Sequence, residues 1–506
     1  MSTLTRTAPF QGRRLSDVVN ELTEEVRELY TADEVPWVIG YSGGKDSTAV
    51  LQLVWLALKD LPVEQRTKPV HVISTDTLVE NPVVAAWVSR SLETMGKAAQ
   101  EQQLPIEPHR LTPKVEDTFW VNLIGRGYPA PRPKFRWCTE RMKIRPSNTF
   151  IRKVVRRHGE AILVLGIRKA ESQARARAMA KHEKGRVRDR LSPNGNLPNS
   201  LVYSPVEDWT NDEVWMFLMQ QSNPWGHKNK DLLTMYQGAS SDSECPLVVD
   251  DTTPSCGDSR FGCWTCTLVD QDKSMAAMVN NDREKKWMEP LLKLRDDLDD
   301  VSKEKETRDF RRMDGRVQLF NDRVIPGPYT QAAREMWLRK LLEAQAIVRK
   351  KAPDDMSNIE LITMEELHEI RRLWVFKKHE VEDSLPKIYE ETTGEKFPGK
   401  PLDEQLVIRA GEIELLREIC GDDEIHFTMV RELLAVEREY RTKSRRSGLF
   451  EALQKVIEKG FYEDEQDALD FAKRKREALQ GDTQTELKNE PQVLTLDEKT
   501  NDDAPA

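Results

Sequence analysis

The sequence predicts an α/β domain with a mainly parallel sheet, followed by a cysteine-rich segment and a mostly helical C-terminal region. Three observations carry this. Short apolar runs of strand length alternate with helical stretches until near Asn223. Between Asp231 and Val269 the composition turns to Ser, Asp, Cys, Pro and Thr with little periodicity, as in a segment ordered by a bound metal rather than by a core. Beyond Lys273 the apolar residues return at helical spacing. At 506 residues the chain exceeds one ordinary core, so two or three units are expected.

In chain order, residues 14–30 place Leu15, Val18, Val19, Leu22, Val26 and Leu29 at helical spacing, and Pro36 breaks the pattern. A buried strand over 37–41, a helix over 47–58, a second strand over 70–75 and a helix over 82–95 follow, then a charged region and a strand at 161–166. The ligand site of such a sheet is expected at the strand C-termini. Helices are expected over 273–294 and 329–350, the second with Ala332, Met336, Leu341 and Leu342 near one face. This divides the chain into an N-terminal helix (1–34), the α/β domain (35–225), the cysteine-rich segment (226–270), a helical region (271–480) and a polar, acidic tail expected to be disordered (481–506).

Charged residues make up 32% of the chain and hydrophobic ones 38%, as in a globular protein with polar segments. The longest apolar runs are too short to span a bilayer and the first residues carry no signal-peptide core, so a cytoplasmic protein with no membrane partner is expected. The net charge of −9 hides an asymmetry: residues 131–190 hold 19 Lys and Arg against 5 Asp and Glu, whereas 481–506 hold 2 against 7. The basic stretch reads either as a solvated helix face or as a surface for nucleotide or nucleic-acid phosphates.

The strand at 37–41 runs directly into Ser42, Gly43, Gly44, Lys45, Asp46, Ser47 and Thr48. Two glycines let the backbone approach a polyanion, the following helix aims unpaired N–H groups at it, and three hydroxyls add donors. The loop is no Walker A motif, because Asp46 rather than Ser or Thr follows the lysine. A carboxylate in a phosphate loop needs a compensating cation, Mg²⁺ or Lys45, which makes Asp46 a candidate metal partner. Arg168 and Arg175, just past a strand, are placed to clamp phosphates, with a surface ion pair to Glu171 as the other reading. Asp76, at a strand end, is placed to hold a ribose or a metal, or to cap the next helix.

These segments, taken together, resemble the PP-loop of the ATP-pyrophosphatase superfamily, which includes phosphoadenylylsulfate reductases and tRNA-thiolating enzymes. The likeness continues through Asp76-Thr77 with Glu80-Asn81-Pro82, where Leu78 replaces the family's glycine. It continues through Trp137-Cys138-Thr139 with Lys143 and Pro146, and through Gly166-Ile167-Arg168 with Glu171, Ser172 and Arg175. It ends at Pro205-Val206-Glu207-Asp208-Trp209 with Asp212, Val214 and Trp215. The resemblance implies a PP-loop (adenine nucleotide α-hydrolase-like) fold and an ATP site with Lys45 and Asp46 as catalytic residues.

Cys245, Cys256, Cys263 and Cys266 are separated by ten, six and two residues, and the tight pair Cys263-Trp264-Thr265-Cys266 follows Gly262. Four thiolates suit structural Zn²⁺ or an iron–sulfur cluster, and spacing does not choose between them. Cys138, flanked by Arg136, Arg141 and Lys143, is expected to have its thiolate favoured and so to serve as a sulfur relay; lining the nucleotide pocket or joining the cluster is the alternative.

Length, the full motif set, the segment Gly262 to Thr267 and the helical C-terminal half are similar to the DndC sulfurtransferases of bacterial DNA phosphorothioation, the C-terminal part by length and character only. That resemblance implies cleavage of ATP with Mg²⁺, replacement of a non-bridging DNA phosphate oxygen by sulfur, and a [4Fe-4S] cluster. It implies as partners DNA, the other Dnd proteins DndD and DndE, and a cysteine desulfurase as sulfur donor. A phosphoadenylylsulfate reductase, a tRNA-thiolating enzyme and a nucleotide-gated subunit of a DNA-targeting complex are the alternatives. The first is disfavoured because the only late cysteine, Cys420, lies outside the reductases' C-terminal cysteine motif. The second is disfavoured by the lack of a recognisable RNA module.

Overall fold

The computed structural model describes residues 9–239, 261–321, 323–380, 382–399, 410–441 and 443–488. The chain forms two compact units, the first from Met1–Val301, Gln331–Trp374 and Asp383–Gly399, the second from Ser302–Thr330, Val375–Glu382 and Lys400–Ala506.

The first unit is an α/β domain with a six-stranded, mostly parallel sheet. Its strands are β1 (Trp37–Gly40), β2 (Val70–Thr75), β3 (Ile106–Leu111), β4 (Ala161–Val164), β5 (Ser192–Pro193) and β6 (Ser200–Tyr203), in the order β3-β2-β1-β4-β6-β5. Only β5 runs antiparallel, on β6. Trp37, Val38 and Ile39 are fully buried, as a central parallel strand covered on both faces requires. Trp37 lies opposite Val70 on one side and Ile162 on the other. The chain therefore steps outward from β1 to β3 and returns to the far side of β1 at β4. This reversal opens a crevice at the C-terminal ends of β1 and β4, where open α/β sheets take their ligands.

Helices α1 (Leu15–Thr31), α2 (Lys45–Lys59), α3 (Pro82–Glu101), α4 (Arg145–His158), α5 (Gln173–Glu183), α6 (Asn211–Gln220), α7 (Asn229–Gly238), α8 (Lys273–Asn281) and α9 (Glu289–Asp299) belong to the same unit. Ile151 and Val154 of α4 form an apolar cluster with Val38, Ile73, Ala161 and Leu197. The helix expected over 273–294 is broken at Asp282, whose carboxylate caps the next turn by accepting from Glu284 N–H at 2.9 Å. Three strands escape the sequence pattern: β3 carries Pro108 and Arg110 at the sheet edge, β5 is two residues long and β6 four.

The expected serial division of the chain is not how its cores assemble, because downstream helices complete the first unit. Trp374 donates its indole N–H to Ile124 O at 2.9 Å, and Trp120 donates to Leu361 O at 2.8 Å. Both tryptophans are buried beside the π-helical turn Val121–Gly125. A Cβ on Gly125 would come within 2.9 Å of Leu373 Cδ1, so this turn is pressed directly on the downstream helix.

The second unit contains the hairpin Leu319–Phe320/Arg323–Val324 and the helices Ala410–Cys420, Glu424–Arg441, Leu449–Gly460 and Glu465–Lys488. The last helix runs through residues 481–488, the start of the expected disordered tail; the rest of that tail, 489–506, lies outside the described residues. Among the described residues no helix is long and apolar enough to cross a membrane.

Truncating Trp374 to Ala removes a buried indole and strands Ile124 O. It is expected to lower the stability of the first unit by about 3–5 kcal/mol in urea unfolding.

Candidate nucleotide and thiol site

The loop after β1 is a preformed turn. Gly43 has φ +74, and a Cβ there would lie 2.4 Å from Val88 Cγ2, so only glycine fits. Trp87 Nε1 donates to Gly43 O at 3.3 Å, and Lys45 N–H faces the Tyr236 hydroxyl at 3.3 Å. The three hydroxyls expected to meet a ligand are engaged within the loop. Ser47 Oγ and Thr48 Oγ1 donate to Gly44 O at 3.1 and 2.8 Å, and Ser42 Oγ lies 3.2 Å from Ser47 Oγ. What the loop presents to an anion is the N-terminus of α2, which begins at Lys45.

The compensating cation for Asp46 is Arg168. Its Nε donates to Asp46 Oδ1 at 2.7 Å while Nη1 donates to Trp209 O at 3.1 Å, and the side chain is 4% exposed. Lys45 Nζ sits 3.3 Å from Asp46 Oδ2. The Arg168 guanidinium, expected to clamp phosphates, is buried and holds the loop to the end of β4. Asp46, the candidate metal partner, faces both Arg168 and Lys45. Gly166 permits the approach, since a Cβ there would stand 2.8 Å from the Asp46 carbonyl. Arg175 is 42% exposed and pairs with Glu171 at 3.3 Å, the surface ion pair rather than a phosphate clamp.

Asp76 does not cap α3. Asn81 does, accepting from Val83 N–H at 3.0 Å. Asp76 Oδ1 instead accepts from Leu78 N–H at 2.8 Å and Oδ2 pairs with Arg110. That turn holds Leu78 at φ +64, a left-handed conformation kept although leucine stands where the resembling family has glycine.

The segment after β2 also receives the cysteine pair. Glu80 and Cys263 form an antiparallel bridge, with Trp264 N–H on Val79 O at 2.9 Å and Asn81 N–H on Gly262 O at 3.2 Å. Cys266 N–H turns back onto Cys263 O at 3.0 Å. Cys263 Sγ lies 3.3 Å from Thr77 Oγ1 and 3.7 Å from Glu80 Oε1. Burial, with the Glu80 carboxylate beside it, pushes the Cys263 thiol up to about 12, opposed by Lys143 and Thr77. The Cys263 sulfur and then Glu80, 3.4 Å away, hold the Lys143 ammonium above its usual range.

Cys138 joins this group. It precedes the π-helical turn Thr139–Ile144 that leads into α4, and Cys266 is close enough to influence its titration. The expectation of a favoured Cys138 thiolate is corrected, because burial raises this thiol. The flanking cations are engaged elsewhere: Arg141 with Asp117 at 3.0 Å, Lys143 with Glu80, Arg136 with Pro133 O at 3.2 Å. Cys138, Cys263 and Cys266, each half-buried, thus share one region, soft donors for Zn²⁺ or an iron–sulfur cluster. Cys245 and Cys256 lie outside the described residues.

About half of the basic residues in the stretch 131–190 are paired with carboxylates, among them Arg132 with Asp299, Arg145 with Asp117 and Arg188 with Glu160. The outer face of α4 differs: Arg152, Lys153, Arg156 and Arg157 are exposed, with no ion pair among the described residues. Sequence reasoning missed Tyr236 and Trp87, which brace the loop from distant helices and carry no local signal. Trp87 also lines a cleft of about 530 Å³ with Arg90, His227, Lys228 and Lys285.

Residues 36–268 match the family model of the phosphoadenosine phosphosulfate reductase domain. The match takes in the loop and both Cys263 and Cys266, so this part of the chain is similar to that reductase domain. An uncharacterized protein of Methanocaldococcus jannaschii is 26% identical over 200 residues, 40% of this chain and 35% of the relative, so the chain spans about a third of that protein's length. Among solved structures, the phosphoadenylyl-sulfate reductase of Candida auris in a phosphate complex is similar at TM-score 0.27 and 14% identity, covering 45% of this chain and 93% of that one. The U34-tRNA thiolase NcsA of Methanococcus maripaludis, with its [4Fe-4S] cluster, is similar at TM-score 0.27 and 15% identity, covering 56% and 80%.

Arg168→Met should destabilise the first unit by about 3 kcal/mol, because it leaves the Asp46 carboxylate part-buried without its main partner. Adding Asp46→Asn should restore most of that loss in denaturant unfolding while nucleotide binding, followed by calorimetry, stays weak. In metal-free protein, iodoacetamide labelling of Cys138 and Cys263 should be slow at neutral pH and accelerate only above about pH 9, since both thiols keep their protons beyond the ordinary value of about 8.5. Rapid labelling of Cys138 at pH 7 would show a thiolate that this site does not favour.

Proposed function

We propose that the chain is an ATP-pyrophosphatase-type sulfurtransferase acting on DNA, in which the loop 42–48 binds ATP and the neighbouring thiols deliver sulfur. The observation that carries this reading is the juxtaposition of two sites at one end of the sheet. The loop follows β1, and Cys263 is laced to the segment that follows the adjacent strand β2. A phosphodiester oxygen is a poor leaving group. Attack of that oxygen on the α-phosphorus of ATP releases pyrophosphate and leaves the DNA phosphate joined to AMP. Hydrosulfide, released from a cysteine desulfurase persulfide by a thiol reductant, then attacks the DNA phosphorus, AMP departs with the original oxygen, the S–H proton passes to solvent, and sulfur remains on the backbone.

In this reading the N-terminus of α2 and Lys45 receive the phosphates, and Arg168 positions Asp46 and the loop. Mg²⁺ arrives with the triphosphate rather than on Asp46. Cys263 and Cys266 would hold a [4Fe-4S] cluster, completed from Cys138, Cys245 and Cys256. When bound, such a cluster supplies a soft Lewis-acidic iron able to hold sulfide. A buried thiol with a raised pKa fits a ligand whose proton is displaced by a metal. DndD, DndE and a cysteine desulfurase are the partners this activity calls for. The exposed cations of α4 offer a surface for DNA phosphates.

The test is mass spectrometry of nuclease-digested DNA from cells carrying the full gene set. Phosphorothioate dinucleotides should appear with the wild-type chain and vanish with Lys45→Ala and with Cys263→Ser; sulfur that persists with Lys45→Ala overturns the ATP-dependent reading. Thiolated RNA with unmodified DNA would point to the tRNA-thiolating alternative. Replacing Arg152, Lys153, Arg156 and Arg157 with Ala should weaken DNA binding and flatten its log–log salt dependence by about 3–4.

A further inference from the structure

Away from the crevice, β2 and β3 bring together three metal-ligating side chains. His71 and Glu107 are register partners on the two strands, and His109 stands two residues past Glu107 on the same face. His71 Nδ1 lies 3.1 Å from Glu107 Oε2 and 3.1 Å from His109 Nε2, and His109 Nε2 lies 3.7 Å from Glu107 Oε2. We propose that His71, Glu107 and His109 form a divalent transition-metal site of the zinc class, separate from the thiols, with its fourth position open to water.

The dimensions of the triangle support this. Ligand atoms about 2.0–2.1 Å from a tetrahedral zinc stand about 3.3 Å from one another, and the three separations bracket that value. Hydrogen bonding uses the triangle less completely. An imidazole Nδ1 carries one proton or one lone pair, so His71 can serve only one of its two neighbours, whereas a cation takes all three lone pairs. The rings are also held in place. Phe150 of α4 packs 5.4 Å from the His71 ring and 4.8 Å from the His109 ring, fixing both against rotation. The Glu107 side chain is 56% exposed, so an ion has a route in from solvent.

The site has a structural task to perform. β3 is an edge strand with Pro108 at its middle, a residue that cannot donate to the ladder. Yet its far end must be in register, because Leu111 O accepts from Asp76 N–H at 2.8 Å and Arg110 holds the Asp76 carboxylate. A metal joining His71 to His109 and Glu107 pins the weak strand at its base. Its ligands stand level with His71 and Ile73, so the site lies about 10–16 Å of strand before Asp76, short of the crevice.

The test is anaerobic titration of metal-stripped full-length protein with Co²⁺, comparing the wild type with Glu107→Gln and His109→Gln. Among the cobalt bound there should be one equivalent whose visible ligand-field bands lack thiolate charge transfer. Glu107→Gln, a half-exposed position that leaves the fold intact by circular dichroism, should weaken that equivalent at least about tenfold, and His109→Gln should abolish it. Cobalt binding with thiolate charge transfer alone, or a nitrogen–oxygen site unchanged in both variants, overturns the proposal. Because the readout is metal binding, it stands or falls independently of sulfur transfer.

Discussion

Arg168 reaches from the end of β4 into the first turn of α2, and its buried ion pair with Asp46 is the constraint on which the rest of the site is arranged. A carboxylate at the mouth of an anion-binding loop is an electrostatic liability. The guanidinium removes it and, through its second bond to Trp209 O, ties the loop to the following segment. Such a pair costs desolvation, so it adds little stability over an apolar alternative. Its contribution is orientation, because Gly166 brings the β4 backbone against Asp46 and leaves the loop a single register.

From this fixed loop the neighbouring strand end is reached across one step of the sheet. Asp76 is held by Arg110 and Leu78 N–H, and the following residues offer an edge to which Gly262, Cys263 and Trp264 attach by backbone hydrogen bonds. The thiol pair is therefore positioned by main-chain hydrogen bonds, with the buried Trp264 packed on Trp120 and Arg295 Nε donating to Cys266 O at 3.0 Å. Burial disfavours the Cys263 thiolate in the absence of a cation, which is the behaviour expected of a ligand that deprotonates as a metal binds.

The same economy of attachment explains why the α/β unit recruits helices from beyond residue 330. The π-helical turn Val121–Gly125 has no strand or long helix of its own to lie on. Trp120 and Trp374 close it from opposite directions in the chain, each satisfying a buried carbonyl.

The sequence by itself determined the central strands, the loop and its helix. Each is specified locally, by apolar runs such as 37–40 and 70–75 and by the glycines that a tight turn needs. It also marked Cys263 and Cys266 as a pair, since two residues between cysteines is a property of spacing alone. Only the tertiary structure decided what the charged side chains do. Arg168, Arg175, Arg141 and Asp76 carry no mark in the chain of whether they meet a ligand or one another, because an ion pair depends on which distant residue folds alongside. The edge strand β3 and the His71–Glu107–His109 triangle were hidden for the same reason. A strand with a proline has little pattern of its own, and two histidines 38 residues apart become neighbours only when the sheet places their strands side by side.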